Sequence, residues 1–191
     1  GPAFPGVDVR IAEDGEILVR GELTMQGYWN APELTAETLR DGWVHTGDIG
    51  VLDEDGYIKI TDRKKDIIVN SGGDNISPQR VEGALVFEAE LNQAMVFGDK
   101  RPHLVAVLVP DEEFIRNWAS DNDRAADLAA LADSEAFHER LREALDRANT
   151  RLGQIEQVRR FIIAEEAFTT ENGMMTPSLK IRRHVIREIY G

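Results

Sequence analysis

The 191-residue chain has no cysteine, which removes disulfide frameworks, thiolate metal sites and cysteine nucleophiles. No apolar run approaches the roughly 20 residues that span a bilayer. The first residues, Gly1-Pro2-Ala3-Phe4-Pro5-Gly6, make neither a signal nor a transit peptide, and they lack an initiator Met. Such a start reads as a cut through a longer protein. Positive charge is scarce: 35 acidic side chains against 22 Lys and Arg give a formal charge of −13. That balance argues against general nucleic-acid binding, which needs a surplus of cations, yet it leaves room for a local basic pocket. His45, His103, His138 and His184 are scattered with no pair at ligand spacing, so no metal site is expected. The G-x-S-x-G elbow and the G-x-x-x-x-G-K-[ST] loop are missing too.

What is there is a globular balance, 42% apolar and 30% charged. Val7 to Ile11 alternates apolar and polar, Glu13-Asp14-Gly15 turns and Ile17 to Val19 returns, which predicts paired strands. A helical piece follows near Pro32 to Leu39. Trp43 to Leu52 and Tyr57 to Ile60 predict a second pair joined at Asp55-Gly56, a strong hairpin signal. Thr61 to Asp66 has no apolar member and reads as a linker. Beyond it, Ile67-Ile68-Val69 and Ser71-Gly72-Gly73-Asp74-Asn75 predict a hairpin with a glycine-rich tip. Ser77-Pro78 then predicts a helix start. The continuous runs Ala94–Phe97 and Leu104–Val109 predict buried strands, residues 111 to 152 predict helix, and Phe161-Ile162-Ile163 predicts another strand. A last helix is expected after Thr176-Pro177, through Ile181, Val185 and Ile189, with Lys180 in its first turn after a flexible Gly173-Met174-Met175 approach. The second half is thus α+β.

Three segments could carry chemistry, and each reads two ways. In Thr46-Gly47-Asp48 a glycine interrupts a strand pattern, and the adjacent carboxylate could accept hydrogen bonds from a vicinal diol; it could equally be a solvated strand end. Arg63 could pair with phosphate or ribose oxygens, and Gly72-Gly73 would let backbone approach a narrow ligand; a solvated surface gives the same pattern. Lys180 is either the partner of an anion or an ordinary surface cation.

Taken together and in order, these segments resemble the C-terminal portion of the adenylate-forming superfamily, above all the long-chain fatty-acid–CoA ligases. The resemblance runs through Gly21-Glu22-Leu23, Gly27-Tyr28-Trp29, Gly42-Trp43 to Asp48, Asp62 to Asp66, Ser71 to Pro78 with Glu82, and Thr176-Pro177-Ser178-Leu179-Lys180. It implies a β-rich remnant of a large N-terminal adenylation domain in residues 1–62, a hinge at 63–66 and a small α+β lid domain at 67–191. It implies that Asp48 holds the ribose hydroxyls of ATP and of the acyl-adenylate, and that Arg63 contacts ribose or phosphate. Lys65 falls at the hinge, where other members often carry Asp. Gly72 and Gly73 would line the pantetheine tunnel, and Lys180 would bridge the fatty-acid carboxylate and the α-phosphate. The closing motif departs from the more widespread N-G-K and T-G-K forms in having Ser178-Leu179 before the lysine.

The implied partners are fatty acid, ATP with Mg²⁺, and coenzyme A, without nucleic acid. The implied setting is cytoplasmic, with peripheral membrane contact left open. The phosphate-binding loop, adenine pocket and acyl tunnel of such enzymes lie upstream of this sequence, so the chain alone is expected to be inactive. Strand edges without partners invite self-association. Two alternatives remain: an acyl-AMP ligase that passes its product to a carrier protein, and a non-catalytic acidic interaction module.

Overall fold

Alternation in the first sixty residues becomes an antiparallel sheet. The computed structural model describes residues 1–191 and divides into two compact units, Gly1–Ile67 and Ile68–Gly191. In the first unit β1 (Val7–Ile11), β2 (Glu16–Gly21), β3 (Leu39–Arg40), β4 (Trp43–Leu52) and β5 (Ile58–Arg63) form one sheet, and helix α1 (Pro32–Thr38) precedes β3. The strand order is β1-β2-β4-β3, with β5 paired to β4 beyond β2. Long β4 therefore serves three partners: β2, β3 beside its first residues, and β5 along its second half.

The expected linker at Thr61–Asp66 is a correction. Thr61, Asp62 and Arg63 continue β5, and Lys64–Asp66 form one 3-10 turn. Ladder hydrogen bonds to β4 hold these polar residues in register where side-chain polarity alone suggested a loop.

The second unit opens with the predicted hairpin, β6 (Ile68–Val69) and β7 (Asn75–Ile76), whose tip holds Gly72 and Gly73. Ser77 caps α2 (Pro78–Leu85) through Oγ, which accepts from the Arg80 N–H at 3.2 Å. β8 (Leu91–Phe97) and β9 (Leu104–Pro110) pair antiparallel. β10 (Val158–Ile163) lies parallel to β9, so the sheet order is β10-β9-β8. A parallel pair needs a crossover. Here it contains α3 (Glu112–Asp121), α4 (Leu128–Ala132) and α5 (Glu135–Asn149). The single helical stretch expected over residues 111–152 is thus broken twice, with Asp123 in a left-handed conformation (φ 52°) after α3. The Asp111 and Asp127 carboxylates cap the starts of α3 and α4.

Both faces of this sheet are buried. Ala94 and Val96 of β8, with Leu104, Ala106 and Leu108 of β9, pack against Val81 and Leu85 of α2 and against Phe137, Leu141, Leu145 and Ala148 of α5. Full burial of one such Leu is worth about 2 kcal/mol. The intervening residues Met95, Val107 and Val109 face the other way, onto Phe168, Met174 and Ile186. Ile186 belongs to the last helix, α6 (Arg183–Tyr190), and is fully buried, whereas Ile189 of the expected stripe is exposed.

Buried charge in the second unit is concentrated at two places. Glu88 and Glu90, between α2 and β8, meet two arginines of α5, Arg140 and Arg147, and Arg151 just past its end. Arg147 bonds both acids at 2.7 Å, Arg151 bonds Glu88 at 2.5 Å, and Arg140 bonds Glu90. Glu82 of α2 meets Arg183 of α6 with both guanidinium nitrogens at 2.6 Å. β8 is an edge strand, and the pair satisfies its outward groups. The Val96 N–H donates to Glu82 Oε1 at 2.8 Å, and the Val96 carbonyl accepts from Arg183 at 3.3 Å.

Removing one member of a buried pair strands the other charge. Arg183→Met is expected to cost about 3 kcal/mol, read as a lowered urea midpoint of the chain with unchanged slope.

Candidate functional site

The first cluster is built on an irregularity of β4. Between the pairs Glu16↔Ile49 and Leu18↔His45, a step of two residues on β2 faces a step of four on β4, so Thr46, Gly47 and Asp48 bulge outward. Gly47 takes φ 71°, which only glycine adopts cheaply. Thr46 Oγ1 donates to the Ile17 carbonyl at 2.7 Å and accepts from the Asp48 N–H at 3.1 Å.

Asp48 and Arg63, two of the residues singled out above, are brought together here. They are register partners across β4 and β5, and Arg63 Nε lies 2.9 Å from Asp48 Oδ1. Arg63 also reaches the Thr46 carbonyl at 3.4 Å. The arginine is half exposed, so the pair contributes at most about 1 kcal/mol to stability. Its consequence is orientation: one carboxylate oxygen is taken by the guanidinium, at the end of the bulge.

Beneath the bulge sits a residue that sequence reasoning passed over. Glu16 is only 4% exposed. Its Oε1 accepts from the Gly47 N–H at 2.9 Å, and its Oε2 lies 3.0 Å from His45 Nδ1 and 2.9 Å from Lys64 Nζ. Lys64 also bonds Asp14 at 2.6 Å. Burial pushes the Glu16 carboxyl up, but Lys64, His45 and the Gly47 N–H outweigh it and hold it below its ordinary value. The Asp14 and Glu16 carboxylates raise the Lys64 ammonium. A signal existed in the sequence: strand alternation puts Glu16 on the face of buried Leu18, and an acid there needs donors. Lys65, the expected hinge residue, is exposed in the 3-10 turn after β5.

In the second unit Gly72 and Gly73 lie at the exposed β6–β7 tip, organised by one side chain. Asn70 Oδ1 accepts from the Gly72 and Asp74 N–H groups, both at 2.9 Å, and Gly73 takes φ 87°. A Cβ at Gly72 would crowd Asn70 and Asp74 at 3.2 Å, while the space beside Gly73 is open.

Lys180 is a second correction: it precedes α6 rather than opening it. Met175 and Ile181 form a β-bridge, the Thr176 N–H donates to the Lys180 carbonyl at 2.9 Å, and the Lys180 N–H donates to Thr176 Oγ1 at 3.1 Å. Leu179 stands at φ 57°, incompatible with a helix. The approach is ordered too. Asn172 Oδ1 accepts from the Thr169 and Met174 N–H groups, and Met174 is buried. The Lys180 side chain is exposed on this turn. Asp48 and Arg63 belong to one unit, and the Gly72-Gly73 tip and Lys180 to separate segments of the other. No group of three His, Cys, Asp or Glu side chains forms a cation cage, and no helix is long and apolar enough to cross a membrane.

A small sheet covered on both faces, with a glycine tip and a lysine turn, makes up the second unit, and an antiparallel sheet with a bulged strand and a paired carboxylate makes up the first. Residues 65–191 match the family of the AMP-binding enzyme C-terminal domain, and the chain belongs to that family. The chain is 38% identical over 190 residues to the long-chain-fatty-acid–CoA ligase FadD15 of Mycobacterium tuberculosis, covering 98% of this chain and 32% of that protein. It is 35% identical over 181 residues to human long-chain-fatty-acid–CoA ligase 6, covering 93% of this chain and 26% of that protein. Among solved structures, it resembles the A domain of a carboxylic acid reductase from Segniliparus rugosus, solved with AMP and a co-purified carboxylic acid. The TM-score is 0.79 at 26% identity, over all of this chain and 30% of that one. The chain thus spans about a third of the length of the curated relatives it matches.

Two outcomes follow from these environments. Leu179→Gly is expected to be neutral or to stabilise by up to about 1 kcal/mol, because the left-handed backbone costs Leu that much, whereas β-branched Leu179→Val destabilises. Thermal unfolding of both variants checks this. The Glu16 pKa is lowered from 4.5, so its contribution to stability is complete above the unfolded value and is lost as pH falls through the lower folded value. Glu16→Gln is therefore expected to flatten the acid limb of the stability–pH curve below about pH 4.5.

Proposed function

We propose that this chain is the C-terminal third of an ATP-dependent, AMP-forming fatty-acid–CoA ligase. The observation that carries the reading is the ordered pairing of Asp48 with Arg63 at the end of a strand bulge in a chain whose whole length matches such ligases. In the first half-reaction a fatty-acid carboxylate oxygen attacks the α-phosphorus of ATP. An acyl–phosphate bond forms, and pyrophosphate leaves with the bonding electrons. In the second, the coenzyme A thiol attacks the acyl carbon and loses its proton, and AMP leaves.

In this reading the Asp48 carboxylate accepts from the two ribose hydroxyls, with Arg63 fixing its orientation and contacting ribose or phosphate. Carboxylate attack on phosphate brings two anions together, and the Lys180 ammonium stabilises the charge that gathers there. Such a donor is worth on the order of 3 kcal/mol in a water-poor site. Thioester formation needs that lysine withdrawn and the pantetheine arm admitted past Gly72 and Gly73. A swing of the second unit about Lys65 exchanges the two faces, as mobile domains do in multistep catalysis. Residues 1–62 then finish the large domain, and 67–191 form the lid. Mg²⁺ would arrive with the ATP phosphates. The acidic groups here do not cluster to hold it, so no step is assigned to it.

The test is Lys180→Ala in the ligase that contains this chain. Pyrophosphate exchange is expected to fall at least about a hundredfold, while thioester formation from supplied acyl-adenylate survives. Survival of both activities overturns the reading and favours a non-catalytic module. Offering the acyl-adenylate to coenzyme A in one arm and to a carrier protein in another decides the acceptor. The chain by itself is expected to form no acyl-CoA above the Lys180→Ala control.

A further inference from the structure

Asp48 ends a bulge of β4 against β2, and a bulge of this size leaves backbone groups to satisfy. Of its N–H groups, that of Asp48 is taken by Thr46 Oγ1, while that of Gly47 points inward to Glu16. The carboxylate of Glu16 comes from the facing strand and fills the inside of the bulge. Its second oxygen is engaged by His45, one residue before the bulge, and by Lys64, one residue after Arg63. One buried side chain therefore touches both chain segments that carry the Asp48–Arg63 pair.

From this geometry we propose that Glu16 is a positioning residue for nucleotide binding: it serves as the internal template of the β4 bulge and thereby sets where the Asp48 carboxylate stands. The inference rests on the assignment of Asp48 to the ribose. Alternatives are weaker. Without an acceptor beneath it the Gly47 N–H is left unpaired at a half-buried site, and φ 71° at that glycine loses a hydrogen-bonded restraint. A charge-assisted bond to a backbone N–H is stronger and more directional than a neutral one, so Glu suits the place better than Gln or a water would. Lys64 supplies the positive charge, and His45 a further hydrogen-bond partner, that let the acid remain ionised where it is buried.

Because Glu16 acts through Asp48, its effect must vanish when Asp48 is gone. The experiment is a double-mutant cycle on the KM for ATP in pyrophosphate exchange, in the ligase containing this chain, with Glu16→Ala, Asp48→Ala and both. Glu16→Ala alone is expected to raise the KM for ATP about tenfold with a smaller change in kcat, the signature of lost ground-state binding. In the Asp48→Ala background, which itself raises that KM, Glu16→Ala is expected to add little. Glu16→Gln keeps an acceptor for the Gly47 N–H and is expected to fall between Glu16→Ala and the parent. The same cycle run with Gln replaces it if the Ala variant does not fold. A full, additive effect of the Glu16 variant without Asp48, or no effect on KM, overturns the proposal while leaving the ribose assignment intact. An unchanged KM in Asp48→Ala overturns both.

Discussion

A three-stranded sheet with no solvent-facing side sets the terms for the second unit. β9 lies between an antiparallel and a parallel neighbour, and successive side chains along it enter two different cores. Both faces must then be covered, which is why Leu104 to Val109 carries no polar residue. The parallel partner β10 forces the long excursion through α3, α4 and α5, and that excursion covers one face. The other face is covered by the segment from Ala164 to α6, with Phe168, Met174 and Ile186 as its buried contacts. The turn bearing Lys180 lies within this covering segment, so its position is a by-product of closing a core.

The edge of that sheet is closed by charge. The outward N–H and carbonyl of Val96 are satisfied by Glu82 and Arg183, side chains from the helices that follow the glycine hairpin and the lysine turn. A pair desolvated to this degree is weak evidence for net stability, since the cost of burial offsets much of the attraction. What it supplies is a fixed separation between α2 and α6 and an edge unavailable for further strand pairing. The Glu88–Glu90 cluster does a related task for α5, where Arg140 and Arg147 of the helix and Arg151 just after it hold the turn between α2 and β8.

The first unit relies on different physics. It buries only two large aliphatic side chains, Ile17 and Leu18, along with Glu16 and Asp62, and leaves Trp29 96% exposed. Its order comes from ladder hydrogen bonds and from an acid that organises a bulge. Close packing reinforces the geometry at one point: a Cβ at Gly50 would come within 2.6 Å of the Lys59 carbonyl, so β4 and β5 approach there as only glycine permits.

Much of this was legible in the chain. Alternation gave β1, β2 and β4, the Asp55-Gly56 turn gave the β4–β5 hairpin, and Ser77-Pro78 gave the start of α2, because each depends on residues near in sequence. Phe137, Leu141, Ala144 and Ala148 recur at helical spacing and form the buried face of α5, again a pattern of residues near in sequence. The ordered motif residues were equally visible, since residue type and spacing are properties of the sequence. What local pattern could not decide was the fate of polar residues. Thr61 to Arg63 look like a linker and are a strand, since ladder bonds from β4 override side-chain polarity. Lys180 looks like helix and is a turn, since the bridge between Met175 and Ile181 and the left-handed Leu179 close the chain first. The parallel register of β10 and the partners of Glu16, Glu82 and Arg183 join residues 14 to 101 positions apart. Such pairings are settled by which charges must be buried together when the cores close, and only the tertiary structure contains that information.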